Sequence, residues 1–148
     1  MRIIVDTNIV FSAILNSSSK IGRLLTQSKT HFQFYSCQYL KVEILRHQGK
    51  LLKLTKLSIS ELLEIENLVT GNIIFINEKL IPKELMLASE KLLVDIDPDD
   101  IPFIALAQNL DAKLWTGDKE LINGLRAKRF INIITTPELA LLYDELEN

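Results

Sequence analysis

The sequence predicts an α/β fold, a three-layer α/β/α sandwich whose central, mostly parallel sheet has about five strands. Short apolar runs alternate along the chain with amphipathic stretches, a pattern typical of parallel strands joined by crossover helices. The first run places Ile3, Ile4 and Val5 directly before Asp6. A continuous apolar run this short is typical of a strand buried on both faces, as in a parallel sheet.

Each predicted element follows from the spacing of its apolar residues. Strands are predicted at 2–6, 32–35, 73–76, 113–116 and 131–134. Helices are predicted at 8–15, around 21–25, and at 38–48, 57–69, 82–94, 101–110, 119–128 and 136–146. The 101–110 helix is the clearest, because its apolar residues follow the i, i+3, i+4, i+7 template of one helix face.

Residues at helix starts support three of these helices. Ser58 and Glu61 have the spacing of a capping box at the start of the 57–69 helix. Pro82 suits the first turn of the 82–94 helix. Thr136 is predicted as the N-cap of the last helix, because a proline and an acidic residue follow it.

Composition limits the domain number, the cofactors and the partners of the chain. At 148 residues it is expected to form one domain, 1–148, with a core of its own. Cys37 is the only cysteine, and His31 and His47 lie far apart in sequence, so a metal ion would need oxygen ligands. The net charge of −2 gives no overall attraction to nucleic acid. Because no leader segment and no run long enough to cross a bilayer is recognisable, we expect a cytoplasmic protein.

Four acidic residues fall where strands end, where helices begin, or within an apolar helix face. Asp6 ends the first strand, Asp118 follows the fourth, and Asp100 opens the 101–110 helix. Ligand sites in open α/β sheets lie outside the carboxyl ends of the strands. Each of these three could equally cap a turn or a helix, which stabilises by about 1 kcal/mol. Glu43 occupies an apolar position of the 38–48 helix, so it is either a buried carboxylate or a surface residue at the edge of that face.

If the four acids converge, their repulsion requires compensation. Two carboxylates about 5 Å apart repel by roughly 3 kcal/mol at an effective dielectric of ~20. Such a cluster must therefore protonate in part or bind divalent cations. Ligation by oxygen alone favours Mg²⁺ or Mn²⁺ over zinc, and one or two such ions suit phosphodiester hydrolysis. The sequence pattern does not itself bring the four acids together.

The same residues lie in motifs that resemble the PIN-domain family. These motifs are the strand Ile3–Asn8, the helix with Glu43, the stretch Asp97–Ala107, the strand end Leu114–Leu121 and the turn Ile134–Leu139. Their order and spacing are similar to the family over nearly the whole chain, although the section 50–96 departs from it. The resemblance implies a parallel sheet between helices and a metal-dependent ribonuclease. Size and motifs are similar to the VapC-type toxin component of prokaryotic toxin–antitoxin pairs.

The resemblance also assigns roles position by position. It identifies a catalytic quartet that binds Mg²⁺ or Mn²⁺, and the matching residues are Asp6, Glu43, Asp100 and Asp118. Small polar residues that support the quartet by hydrogen bonds match Thr7, Asn8 and Thr116. Asp97 is a further candidate for this supporting role, and Asp99 is expected to cap the following helix. Glu43 would ligate the ion or orient the attacking water, with single-stranded RNA as the substrate.

Partners follow from the same resemblance. RNA contacts are expected from basic residues that could equally be solvated surface, namely Lys20, Arg23, Lys41, Arg46, Lys50, Arg126, Lys128 and Arg129. Because a free nuclease would harm its host, an antitoxin protein should cover the cleft. A homodimer is also implied. Its contact could be formed by the apolar middle helices, although the same residues suit a core equally well: Leu57, Leu62, Leu63 and Leu68.

Three other functions would use part of the same set of residues. A phosphatase of the haloacid-dehalogenase type would need an acid two residues after Asp6, where Asn8 stands, and another at Ile122. A receiver-like signalling domain would need paired acids at the first strand, where only Asp6 is present. A catalytically inactive PIN-like module that binds RNA or protein would be expected to lack some of the four acids.

Overall fold

A computed structural model describes residues 1–95 and 97–148, and a parallel sheet organises this part of the chain. Its five strands are β1 (Arg2–Val5), β2 (Gln33–Cys37), β3 (Ile73–Ile76), β4 (Lys113–Trp115) and β5 (Ile133–Ile134). Every pairing is parallel, and the strand order is β3-β2-β1-β4-β5. The predicted fold class, with its central parallel sheet of about five strands, is confirmed.

Helices connect the strands and cover both faces of the sheet. They are α1 (Thr7–Leu15), α2 (Lys20–Gln27), α3 (Tyr39–Arg46), α4 (Gln48–Thr55), α5 (Ile59–Thr70), α6 (Lys83–Leu92), α7 (Ile101–Asn109), α8 (Lys119–Ala127) and α9 (Thr136–Glu147). Helix α1 contacts α2, α3, α4 and α5 in one layer. Because crossovers between parallel strands are right-handed, the return from β3 to β4 puts α6 and α7 on the opposite face. Helix α7 contacts β1, β2 and β4 there.

The core lies on both sides of the central strand. Ile3, Ile4 and Val5 of β1 are completely buried, as the unbroken apolar run predicts. On the neighbouring strands, the rings of Phe34 and Trp115 lie 5.9 Å apart between centroids. Burying each of these large side chains contributes about 2 kcal/mol. This packing fixes the positions of the strand ends that follow.

Two helix predictions need correction, one in the layer that contains α1 and one in the opposite layer. The predicted 38–48 helix ends at Arg46, and the unpredicted helix α4 follows it. At the junction His47 has φ −99° and ψ 9°, which breaks the regular helix. Helix α6 begins at Lys83 and ends at Leu92, so Pro82 precedes it and Val94 lies beyond it.

The capping residues of two helices test the predicted starts. At α5, Ser58 Oγ accepts from the Glu61 N–H at 3.2 Å and Glu61 Oε1 accepts from the Ser58 N–H at 3.0 Å, which confirms the capping box. At α9, the N-cap prediction of Thr136 is wrong: Thr135 caps the helix and forms a box with Glu138. Glutamate three residues after Thr135 decides between the two threonines. None of the described helices is long and apolar enough to cross a membrane.

Candidate active site

The strand order creates a crevice between the carboxyl ends of β1 and β4. From β1 the chain proceeds to β2 and β3 on one side, and it returns to β4 on the other side. Such a reversal is where open α/β sheets form ligand sites. Asp6 follows β1 directly, and its N–H donates to the Trp115 carbonyl of β4 at 3.2 Å. The residues that follow β1 and β4 therefore lie side by side.

Thr116 holds the two acids that follow β1 and β4. Its Oγ1 donates to Asp6 Oδ2 at 2.6 Å and accepts from the Asp118 N–H at 3.1 Å. Thr116 is completely buried, and Asp6 is only 4% exposed. Asp118 caps α8 as well, because its Oδ1 accepts from the N–H groups of Glu120 and Leu121 at 3.0 and 3.2 Å. The cap occupies Oδ1 alone, so capping and ligand binding are compatible at Asp118.

A hydrogen bond between two residues that lie 36 positions apart in sequence holds Glu43 at the same end of the sheet. Thr7, the first residue of α1, donates from Oγ1 to Glu43 Oε1 at 2.6 Å. Glu43 is half-buried, so it lies at the edge of the apolar face and is not a fully buried carboxylate. Burial raises the pKa of Glu43, and the Thr7 bond partly opposes this. A buried Thr7 thus fixes one carboxylate oxygen and leaves the other available.

Asp100 completes the convergence from the other layer. It ends a short 3₁₀ turn, Pro98–Asp100, and its side chain does not cap α7. Burial, and to a smaller extent the charges of Asp6, Asp97, Asp118 and Glu43, raise the pKa of Asp100 to about 8. Burial likewise raises the pKa of Asp6 to about 6. Because the charges of Asp118 and Glu43 act on both Asp6 and Asp100, the four predicted acids lie near one another at this crevice.

The remaining predicted residues behave differently from one another. Asn8 is exposed, and within the described residues its side chain forms no hydrogen bond. Asp97 caps the 3₁₀ turn, since its Oδ1 accepts from the Asp99 N–H at 2.9 Å. The prediction that Asp99 caps the helix is wrong, because Asp99 Oδ1 instead accepts from the Tyr39 hydroxyl at 3.4 Å. Tyr39 was not recognised as part of this region, and its only signal was its position one turn before Glu43.

The chemistry of the cleft fits a divalent cation. Asp100 Oδ2 is buried and, among the described residues, has no hydrogen-bond partner. Such an oxygen costs free energy unless a proton or a cation compensates it, and carboxylates are the ligands that hard cations prefer. Across 1–95 and 97–148, no group of three or more Asp, Glu, His or Cys side chains is arranged to hold a metal ion. Binding an ion would therefore require the side chains to turn toward one point.

Comparison with known families and structures identifies the domain. The family model described as PIN domain matches residues 4–139. The chain belongs to the PIN-domain family. PIN domains are in general nucleases, so membership supports a hydrolase and sets aside the phosphatase and the receiver. No curated protein matches the sequence significantly.

A solved structure shares the fold of this PIN domain. It is the crystal structure of VapBC2 from Rickettsia felis bound to a DNA fragment from their promoter. The match has a TM-score of 0.64 and 15% sequence identity, and it covers 91% of this chain and 97% of that chain. At this identity the similarity concerns the fold.

The basic residues of this PIN domain include some with a carboxylate partner, some that line a cavity and some that lie against aromatic rings. Arg126 Nη2 lies 2.7 Å from Glu138 Oε1, and Lys128 pairs with Asp95, so these two cations have carboxylate partners. Lys20 and Arg23 line a cavity of about 320 Å³ between α2 and α9 together with Asp144. Lys41, Arg46 and Lys50 instead lie against aromatic rings.

Proposed function

We propose that this PIN domain, taken as one unit over 1–148, is an Mg²⁺- or Mn²⁺-dependent endoribonuclease that hydrolyses single-stranded RNA. One observation supports this most: four carboxylates from four separate segments meet at the switch point of the sheet, and one buried oxygen among them has no partner. The family supports a nuclease, and the sequence resemblance supports RNA as the substrate.

The sequence resemblance supports a role for each acid, and the hydrogen bonds that hold the acids are compatible with these roles. Asp6, Asp100 and Asp118 would bind the cation, and Glu43 would ligate it or orient the attacking water. When bound, the ion would activate water and stabilise the leaving oxygen of the scissile phosphodiester. Thr116 keeps one oxygen of Asp6 fixed, and Thr7 keeps one oxygen of Glu43 fixed. Water adds to the phosphorus as the bond to the leaving oxygen breaks.

We infer that the nuclease is the toxin of a toxin–antitoxin pair, with an antitoxin protein as its cytoplasmic partner. An unrestrained ribonuclease would damage its own cell, and the structure with a similar fold is that of a VapBC pair. A basic side chain inserted into the cleft would satisfy the unpartnered Asp100 oxygen. Such a partner would inhibit by occupying the place of the cation.

A homodimer through α5 is the second proposed association. The leucines of the middle helices divide between two environments: Leu62 is completely buried, whereas Leu63 is 45% and Leu68 57% exposed. Leu63 and Leu68 are therefore available to a second copy of the chain. Light scattering on Leu63→Ser with Leu68→Ser should give a monomer where the parent chain gives a dimer.

RNA cleavage with and without a chelator tests the nuclease. The purified chain should cleave mixed single-stranded RNA in Mn²⁺ and leave it intact in excess chelator. Asp6→Asn should abolish the cleavage, whereas Asp144→Asn, an exposed acid on α9, should not. If the parent chain binds RNA but leaves it intact in Mn²⁺, the inactive binding module is the correct alternative.

A further inference from the structure

Next to the acid cleft, α3 presents an aromatic ring joined to a cation. The Arg46 guanidinium lies 5.7 Å from the centroid of the Tyr39 ring, and its Nη1 donates to the Tyr39 hydroxyl at 3.0 Å. The same hydroxyl contacts Asp99, one residue before Asp100. Tyr39 lies one turn before Glu43 and Arg46 nearly one turn after it, so the three share one helix face.

A second aromatic–cation group continues from the Thr7–Glu43 hydrogen bond. Phe11, one turn after Thr7 on α1, has its ring 6.1 Å from that of His47 in an edge-to-face arrangement. Lys50 Nζ lies 5.6 Å from the centroid of the Phe11 ring. His47 lies one turn after Glu43, so this second group extends away from the acids along α1 and the start of α4. We call the two groups together the aromatic–cation strip: Phe11, Tyr39, Arg46, His47 and Lys50.

The strip differs from the basic region around Arg126 and Lys128 in that, within the part of the chain that the structure describes, its two cations have no carboxylate partners. Among the described residues, neither Arg46 nor Lys50 forms an ion pair, whereas Arg126 and Lys128 do. Arg46, His47 and Lys50 are exposed, and the two rings are half-buried. Proteins that bind single strands combine cations that follow the phosphates with rings on which bases stack. In a chain of net charge −2, this local combination gives a polyanion a preferred route to the acids.

We propose that the aromatic–cation strip binds the single-stranded RNA that leads into the acid cleft, with Arg46 and Lys50 on phosphates and Phe11 or Tyr39 under a base. The proposal rests on the proposed nuclease function and adds to it the binding surface and the direction in which the strand leaves the site. Recognition by stacking favours unpaired nucleotides, because the bases of a duplex are not free to stack on a side chain.

Binding measured without catalysis tests the strip. Fluorescence anisotropy would follow a labelled oligouridylate of about ten nucleotides in chelator, where no cleavage occurs. Arg46→Gln with Lys50→Gln should weaken binding at least tenfold. This double variant should also reduce the magnitude of the slope of log K against log salt concentration by about 1.4. That is the change expected when two phosphate contacts to a single strand are lost. Phe11→Leu should weaken binding about fivefold or more with little change in slope, since stacking involves no counterion release.

A control variant, and the outcomes that would contradict the strip proposal, complete the binding test. Lys83→Gln with Lys91→Gln removes two exposed lysines from α6, in the opposite layer, and should leave affinity and slope unchanged. The strip proposal is wrong if the control weakens binding equally, or if Arg46→Gln with Lys50→Gln binds like the parent chain. It is also wrong if polyglutamate displaces the RNA and loses affinity in the same variants, which indicates an acidic protein partner. Absence of Mn²⁺-dependent cleavage with intact strip-dependent binding would overturn the nuclease proposal alone.

Discussion

Thr7 is the residue whose single contact matters most to Glu43. Its 2.6 Å hydrogen bond is the one that the half-buried Glu43 carboxylate forms among the described residues. A hydrogen bond to a charged group contributes about 1.5–3 kcal/mol, so losing it should reduce cleavage about tenfold or more. Thr7→Val removes the hydroxyl at nearly constant volume, and Thr7→Ser retains it.

Cleavage rates in Mn²⁺ for the two variants decide the role of this hydroxyl. We expect Thr7→Ser to restore most of the rate that Thr7→Val loses, when both proteins are assayed at a temperature well below their melting temperatures. The rate should fall through kcat rather than KM, because Glu43 is proposed to act on water and not on the RNA chain. Equal losses in both variants would contradict a positioning role for the Thr7 hydroxyl.

At the residue scale, the sequence resemblance named the four acids and the supporting Thr7 and Thr116, but it did not say which threonine bonds to which acid. Asp6 and Asp118 were predictable because strand ends in parallel sheets meet at one edge. The hydrogen bond from Thr7 to Glu43 joins residues 36 apart, so it depends on how α1 packs against α3. Tyr39 was missed because a tyrosine one turn before Glu43 also suits the apolar face of that helix.

At the scale of elements, the capping box of α5 offers a test independent of the cleft. Ser58→Ala removes the acceptor for the Glu61 N–H and should cost about 1 kcal/mol of unfolding free energy. For a chain of this size that lowers the melting temperature by about 3 °C. Ser60→Ala, two residues further and exposed, should change it by less than half as much. RNA cleavage should be unchanged in both variants, and a loss of activity in Ser58→Ala would contradict the separation of α5 from the acid cleft.

Helix α4 shows where element prediction from sequence reaches its limit. Leu51 is the only completely buried residue of this helix, so the segment lacks the repeated apolar spacing that identifies a packed helix face. Its stability comes from the contacts that α4 makes with α1, α3 and α5. By contrast, α7 buries Phe103, Leu106 and Ala107 at helical spacing, and the prediction of that helix is confirmed. Tertiary contacts, and not local pattern, specify the shorter helix.

At the scale of the whole molecule, two groups of acids give stability opposite dependences on pH. Hydrogen bonds lower the pKa of Glu61 and of Glu138, so their contribution is present above the unfolded pKa and is lost as pH falls. Asp6 and Asp100 have raised pKa values of about 6 and about 8, so the folded state binds more protons than the unfolded state above 3.8. The contribution of Asp6 and Asp100 to stability therefore decreases as pH rises from their unfolded pKa of 3.8 through about 8.

We expect the metal-free protein to be most stable near pH 5 and to melt at progressively lower temperature toward pH 8. Asp100→Asn cannot ionise, so it should melt higher than the parent chain at pH 8 and lose much of this slope. Thermal melts in chelator at several pH values measure both quantities. A parent chain that becomes more stable from pH 5 to pH 8 would show that the pKa values of Asp6 and Asp100 are not raised.

A divalent cation should reverse this pH dependence. Above pH 8 Asp6 and Asp100 are ionised and available to the ion, whereas near pH 5 protons compete for both. Ligand at one hundred times its Kd stabilises the native state by about 2.7 kcal/mol, so Mn²⁺ should raise the melting temperature strongly at pH 8 and weakly at pH 5. Asp100→Asn should lose most of the rise at pH 8, and Asp144→Asn should retain it. An equal rise at both pH values, or in both variants, would mean that the ion binds elsewhere on the molecule, since only ligation within the cleft couples its binding to these two protons.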